Sequence, residues 1–245
     1  MVVIIILIVL FIAFLVNQGV QSYQYRRDVE RGDKIRDLEK VEEKRVAKEE
    51  EERINAERSK KKEIYNIGKK RIDWHLYDSI LLKYDIHTLY HFTDRSNIDS
   101  IKYHRALLSW SYCDKNGILI SKPGGSYLSR ELDLQKNLEN YVRVSFVKNH
   151  PMEYIARKEE RISNPVILQI DKDIIFWEKT KFSNKNAARS DSSIGKGIDN
   201  FKNIRFDILK RRYFDLNESE KSYFQAEILV FEKIPIEFIK NIDRV

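Results

Sequence analysis

The stretch from about Tyr23 to Lys70 limits the possible folds more than any other part of the chain. It is dominated by Glu, Lys and Arg, holds only Gly32 and, near its end, Gly68, and belongs to a sequence with no proline before Pro123. A segment with so few apolar residues cannot bury a core, and without helix breakers it predicts a solvated helix. Arg45, Glu49, Arg53, Glu57 and Lys61 follow one another at i,i+4 spacing with alternating sign, so each charge supports the next along an exposed face. Ile35 and Leu38 open a heptad seam, but its next positions are Glu42 and Arg45, which argues against a sustained coiled coil.

This charged spacer divides the sequence into residues 1–22, 23–72 and 73–245. Val2 to Val16 is an unbroken apolar run. As a helix it measures roughly 22 Å, short of the ~30 Å hydrocarbon core, so a span must borrow from Asn17 to Val20 or thin the bilayer. No Lys or Arg precedes Val2 and no A-x-A-like cleavage site follows; the expectation is a membrane anchor rather than a removed signal peptide. Arg26 and Arg27 after the run place the C-terminal bulk in the cytoplasm.

The remainder has room for one full-sized domain. A net charge of +7 and a pI near 9.2 favour an anionic partner such as nucleic acid or a phospholipid surface. The single cysteine, Cys113, excludes an intramolecular disulfide and any cysteine-rich metal cluster. Nothing beside it in sequence would activate it as a nucleophile.

Leu89 to Thr93 alternates as a strand, and Asp94 or Ser96 can cap a helix running through Ile98, Ile101 and Tyr103. Asn116-Gly117 and Pro123-Gly-Gly125 mark a loop whose glycines permit close backbone approach. Further strands are expected at Tyr141–Phe146 and Val166–Ile170, and a helix from Asp199 to Lys210. Ser222 to Phe231 has a strand pattern with one carboxylate, Glu227, on the same face as Gln225 and Leu229. Burying an unpaired charge is costly, so Glu227 either faces water at a sheet edge or lines a polar site. His91 is either a core histidine or a ligand-binding group; a strand puts it and His87 out of reach of one metal ion.

Tyr90-His-Phe-Thr93 with Asn97, Pro123-Gly-Gly125 to Arg130, Glu139-Asn-Tyr-Val142, His150-Pro-Met152, Phe182-Ser-Asn-Lys-Asn-Ala-Ala188 and Gln225-Ala-Glu-Ile-Leu-Val230 occur in an order that resembles the DarT family of DNA ADP-ribosyltransferase toxins. The resemblance covers roughly Leu89 to Ile242. It implies an α/β (α+β) domain of the ADP-ribosyltransferase type with a split mixed β-sheet. It implies Glu227 as catalytic acid, Arg130 as catalytic arginine, and His91, Thr93 and Asn97 as NAD contacts, with 182–188 beside NAD, the co-substrate, and no metal. The expected acceptor is a base of single-stranded DNA, since a base in a duplex is stacked and paired. Lys210-Arg-Arg212 is a candidate wall for the strand, and Trp110, Tyr112 and Tyr127 are candidates for stacking on its bases. A macrodomain-type ADP-ribosylglycohydrolase is the antitoxin the family implies. Two alternatives stay open: the same fold acting on RNA or protein, and a non-enzymatic membrane-tethered nucleic-acid-binding protein.

Overall fold

The computed structural model describes the backbone of residues 2–245 and all side chains except those of residues 1–13, 28, 30, 33, 35, 37 and 60–67. The chain separates into two compact units, residues 1–62 and 63–245.

The first unit is helical: α1 spans Val2–Ile67. Arg45 pairs with Glu42 at 2.5 Å and with Glu49 at 3.2 Å, and Arg53 pairs with Glu50 at 2.9 Å. Intrahelical charge pairs at three- and four-residue spacing thus line the exposed face; Arg45–Glu49 belongs to the expected i,i+4 series, while the pairs with Glu42 and Glu50 do not. Most of the apolar run expected to anchor the chain, Val2 to Ala13, lies outside the described side chains. Among the described residues no helix is long and apolar enough to cross a membrane.

The second unit holds α2 (Trp74–Lys83), β1 (Thr88–Asp94), α3 (Ile98–Tyr103), β2 (Ala106–Leu108), α4 (Trp110–Lys115), α5 (Tyr127–Gln135), β3 (Tyr141–Ser145) and α6 (Pro151–Lys158). It continues with β4 (Pro165–Asp171), β5 (Lys181–Ser183), β6 (Ile194–Gly195), α7 (Ile198–Lys202), α8 (Phe206–Leu209), α9 (Glu218–Tyr223), β7 (Glu227–Phe231) and β8 (Lys233–Pro235). One six-stranded sheet runs in the order β4-β1-β3-β7-β5-β6, and β2 pairs with β8 in a second. Every pairing is antiparallel, which corrects the expectation of a mixed sheet. A parallel pair needs a crossover long enough to traverse the sheet face, and the helices after α2 are only four to nine residues long.

Two local expectations also change. The strand expected from Ser222 starts only at Glu227, because Asn217 and Glu220 form a reciprocal capping box that commits 218–223 to α9. The helix expected over 199–210 is broken into α7 and α8, with Phe201 and Phe206 both driven into the core.

Strand alternation then separates core from site. Val142 and Val144 of β3 and Ile228 and Val230 of β7 join Leu168, Ile170, Phe182 and Phe201 in the main apolar cluster. Each such side chain contributes about 1.5–3 kcal/mol on full burial, which fixes the register of both strands. The intervening positions, Arg143, Ser145 and Glu227, are consequently turned to the opposite face.

Candidate active site

Glu227 opens β7, between Ser145 on β3 and Ser183 on β5. It is therefore interior to the sheet, and it is only 6% exposed. Its Oε2 accepts from Arg143 Nη1 at 2.9 Å and from the Ala187 backbone N–H at 2.7 Å. Arg143 lies opposite Leu229, two positions along from Glu227, and that diagonal separation is within reach of a long side chain. The other arm of the guanidinium donates to Asp133 Oδ1 on α5, whose Oδ2 accepts from Trp110 Nε1 at 3.4 Å. One guanidinium thus sits between two buried carboxylates.

Electrostatics follow from that burial. Burial alone would lower the Arg143 pKa, but the Glu227 and Asp133 carboxylates outweigh it and hold the group above its ordinary value. Burial pushes the Asp133 carboxyl up, against the downward pull of Arg143.

A cavity of about 240 Å³ opens onto these groups, lined also by His91, Thr93, Asn97, Arg130, His150 and Asn186. His91 Nδ1 donates to the Arg143 carbonyl at 2.8 Å, so in the neutral ring Nε2 is an acceptor. Burial lowers the His91 pKa and favours that neutral form. His150 caps α6, its Nδ1 accepting from the Met152 N–H at 3.3 Å. Its Nε2 carries the proton in the neutral ring and lies near the Gln225 backbone without closing a hydrogen bond of good geometry among the described residues. Burial drives the His150 pKa down to about 4. Arg161 Nη1 is likewise buried at the cavity wall without a partner.

Of the five expected site residues, Glu227, His91 and Thr93 all line the cavity. Asn97 also lines it, with its amide engaged: Nδ2 donates to Thr93 Oγ1 at 3.1 Å and to the Lys122 carbonyl at 2.8 Å, and Oδ1 accepts from Lys122 N at 3.3 Å. These bonds hold the glycine loop against β1, where a Cβ on Gly124 would come within 3.0 Å of the Phe92 ring. Arg130 lines the cavity with its guanidinium 5.3 Å from the Trp110 ring centroid. The arginine that meets Glu227 is Arg143. Its signal in the sequence was a lone charge in the alternating strand 141–146, the mirror of Glu227 in its own strand. Asp133 carries no comparable signal. Of the 182–188 motif, Asn186 lines the cavity and the Ala187 N–H donates to Glu227. Around the 210–212 basic run, Lys210 pairs with Asp85, Arg211 with Glu220 and Arg212 with Asp215.

A carboxylate fixed inside a sheet, bound to a guanidinium and facing a polar cavity, is suited to an enzyme that stabilises positive charge at a sugar carbon during glycosyl transfer. The family model described as ssDNA thymidine ADP-ribosyltransferase, DarT, matches residues 90–244, and the chain belongs to that family. Thermus sp. 2.9 DarT in complex with ADP-ribosylated ssDNA shares the fold at 16% identity and a TM-score of 0.53, over 64% of this chain and 80% of that one. The same Thermus protein in complex with NAD+ matches at 16% identity and a TM-score of 0.48, over 63% of this chain and 79% of that one. Thermosipho africanus DarTG in complex with ADP-ribose matches at 20% identity and a TM-score of 0.48, over 62% of this chain and 42% of that one. A comparison with curated proteins finds no match.

Proposed function

We propose that this chain transfers ADP-ribose from NAD to the thymidine base of single-stranded DNA, with Glu227 as the catalytic carboxylate and Arg143 as its guanidinium partner. The observation that carries the reading is the Glu227–Arg143 pair, buried in the interior of the sheet and facing the cavity. Unsatisfied polar atoms in that wall favour a polar ligand, since such groups are rarely left bare. His91 Nε2, left as an acceptor by the bond from Nδ1, is available to such a ligand. In the transfer, the bond from ribose C1′ to nicotinamide nitrogen breaks, a bond from C1′ to the base nitrogen forms, and that nitrogen's proton is released. Glu227 Oε1, which takes no hydrogen bond among the described residues, is free for a ribose hydroxyl, and its charge favours the developing positive centre.

The run Val2 to Val16, with Arg26 and Arg27 behind it, supports an anchor that keeps the transferase domain in the cytoplasm, where NAD is available. A role as a toxin or phage-defence effector, restrained by a macrodomain-type ADP-ribosylglycohydrolase, completes the proposal. A reporter fused after Val245 should be active only on the cytoplasmic side.

The decisive experiment offers labelled NAD with single-stranded oligonucleotides that contain or lack thymidine, with RNA, and with protein. Label on the thymidine-containing DNA alone is the expected result. Transfer to RNA or protein, or none at all from folded enzyme, overturns the reading.

A further inference from the structure

A glutamate bound to one arginine forms a neutral pair, and a neutral pair is a weak stabiliser of a cation. The structure removes that difficulty with a second acid. Asp133 holds the other arm of Arg143 and is 4% exposed. We infer that Asp133 is a positioning residue: it fixes the Arg143 guanidinium between two carboxylates and keeps the three side chains at a net charge of −1. The inference rests on the ADP-ribosyl transfer proposed above.

The arrangement divides the work. Arg143 orients Glu227 through Nη1 and Asp133 anchors Arg143 through its other arm, so the guanidinium is not free to swing toward a phosphate. Trp110 Nε1 in turn fixes Asp133. Other charges nearby make their hydrogen bonds elsewhere, although the Lys136 charge is felt by both Asp133 and Arg143. Lys136, just beyond α5, gives its Nζ to the carbonyls of Ala187 and Arg189 and to Ser192 Oγ. Arg130 lies over Trp110 and acts on the Cys113 thiol. Asp191, which acts on Lys136, is paired with Lys185 and Arg189. Burial lowers the His91 pKa and that of His150, which also feels the Arg143 charge. In direct contact there remain two carboxylates and one guanidinium.

Burial raises the Asp133 pKa, so as pH falls Asp133 takes up a proton above the ordinary carboxylate range and the net negative charge is lost. The rate of transfer should fall with it, while binding of NAD, which does not require the extra charge, should persist.

Asp133→Asn keeps the side-chain size and one acceptor oxygen for Arg143 and removes the charge, while its NH2 replaces the oxygen that accepts from Trp110. In the full chain it should lower kcat about 10- to 100-fold, leave the NAD dissociation constant within about 3-fold by calorimetry, and abolish the acid limb of kcat that Asp133 sets. Infrared difference titration of the parental protein without NAD should show a carboxyl protonating above the ordinary range, with that band missing from Asp133→Asn. In an Arg143→Gln background Asp133→Asn should add little, because the two act as a unit. Parental kcat with a parental pH profile would overturn the inference. So would a raised KM at unchanged kcat, an effect fully additive with Arg143→Gln, or the absence of the infrared band should the variant fold poorly. Glu227→Gln separates the two levels. If it too transfers at the parental rate, the transferase reading of the site has failed; if it is inactive while Asp133→Asn is parental, only the role of Asp133 has failed.

Discussion

The long helix α1 and the Glu227 site are built from the same pair of chemical groups in opposite surroundings. On α1, Arg45 forks between Glu42 and Glu49 with about 60% of its side chain in water. In the site, Arg143 forks between Asp133 and Glu227 with its side chain 22% exposed and theirs 6% and 8%. Water and salt screen the first set, so its charges are nearly interchangeable parts of a solvated surface. The second set cannot be solvated if any member is lost, and its geometry is fixed by strand register and by Trp110. Similar hydrogen bonds thus line an exposed helix in one unit and the wall of a polar cavity in the other.

The largest effect should come from Glu227→Gln, which keeps shape and removes charge. Loss of one preorganised electrostatic contact of this kind costs about 100- to 1000-fold in rate, read as transfer from labelled NAD to thymidine-containing single-stranded DNA. Melting should stay near that of the parental protein. Next is Arg143→Met, which leaves Glu227 and Asp133 buried side by side without their cation. Breaking a buried pair in this way costs about 3–5 kcal/mol of stability, so the melting temperature should drop and transfer be lost. Arg130→Ala, which removes a guanidinium stacked on a ring and not bound to Glu227, should do less on both counts. The reverse order would favour Arg130 over Arg143 as the catalytic arginine.

How much of this was legible beforehand depended on whether the signal was local. Alternation in Thr88–Asp94, Tyr141–Ser145 and Pro165–Asp171 showed in the sequence because side chains two apart share a face. Glu227 stood out as a charge in an apolar run. Arg143 gave a similar cue, but its partnership with Glu227 is a cross-strand contact 84 residues away in sequence, set by a register that spacing alone does not reveal. Asp133 was hidden altogether, as one acid in a polar helix until Trp110 and Arg143 close on it. The strand start at Glu227 was misplaced because a capping box outcompeted the β-like pattern of Ser222–Ala226, and the mixed sheet was inferred without the helix lengths that forbid it.

A smaller effect separates His150 from the charged groups. Its pKa is lowered from 6.5 to about 4 in the folded protein by burial, so as pH falls below the unfolded value the unfolded chain takes up the proton first. Stability is therefore complete above about pH 6.5 and declines at up to about 1.4 kcal/mol per unit below it, or roughly 2 kcal/mol by pH 5. Burial moves His91 in the same direction and adds to the slope. Thermal melts from pH 7.5 down to 5 should show the decline, and His150→Gln should flatten part of it. An unchanged slope in that variant would mean that His150 is not the neutral, buried donor assigned to the cavity wall.

The smallest effect is expected where the same fork of Arg and Glu lies in water. Arg45→Ala removes the bonds to both Glu42 and Glu49, yet each freed carboxylate remains hydrated and alanine is itself the best helix former. The loss of charge pairing and the gain in propensity oppose each other. The helical circular dichroism signal should change slightly at low salt, and the difference should vanish at high salt, where the pairs contribute nothing. Transfer of ADP-ribose should be unaltered. A loss of transfer approaching that of Asp133→Asn would break the contrast between the two forks, because it would require the screened charges of α1 to act on the reaction as directly as those packed around Glu227.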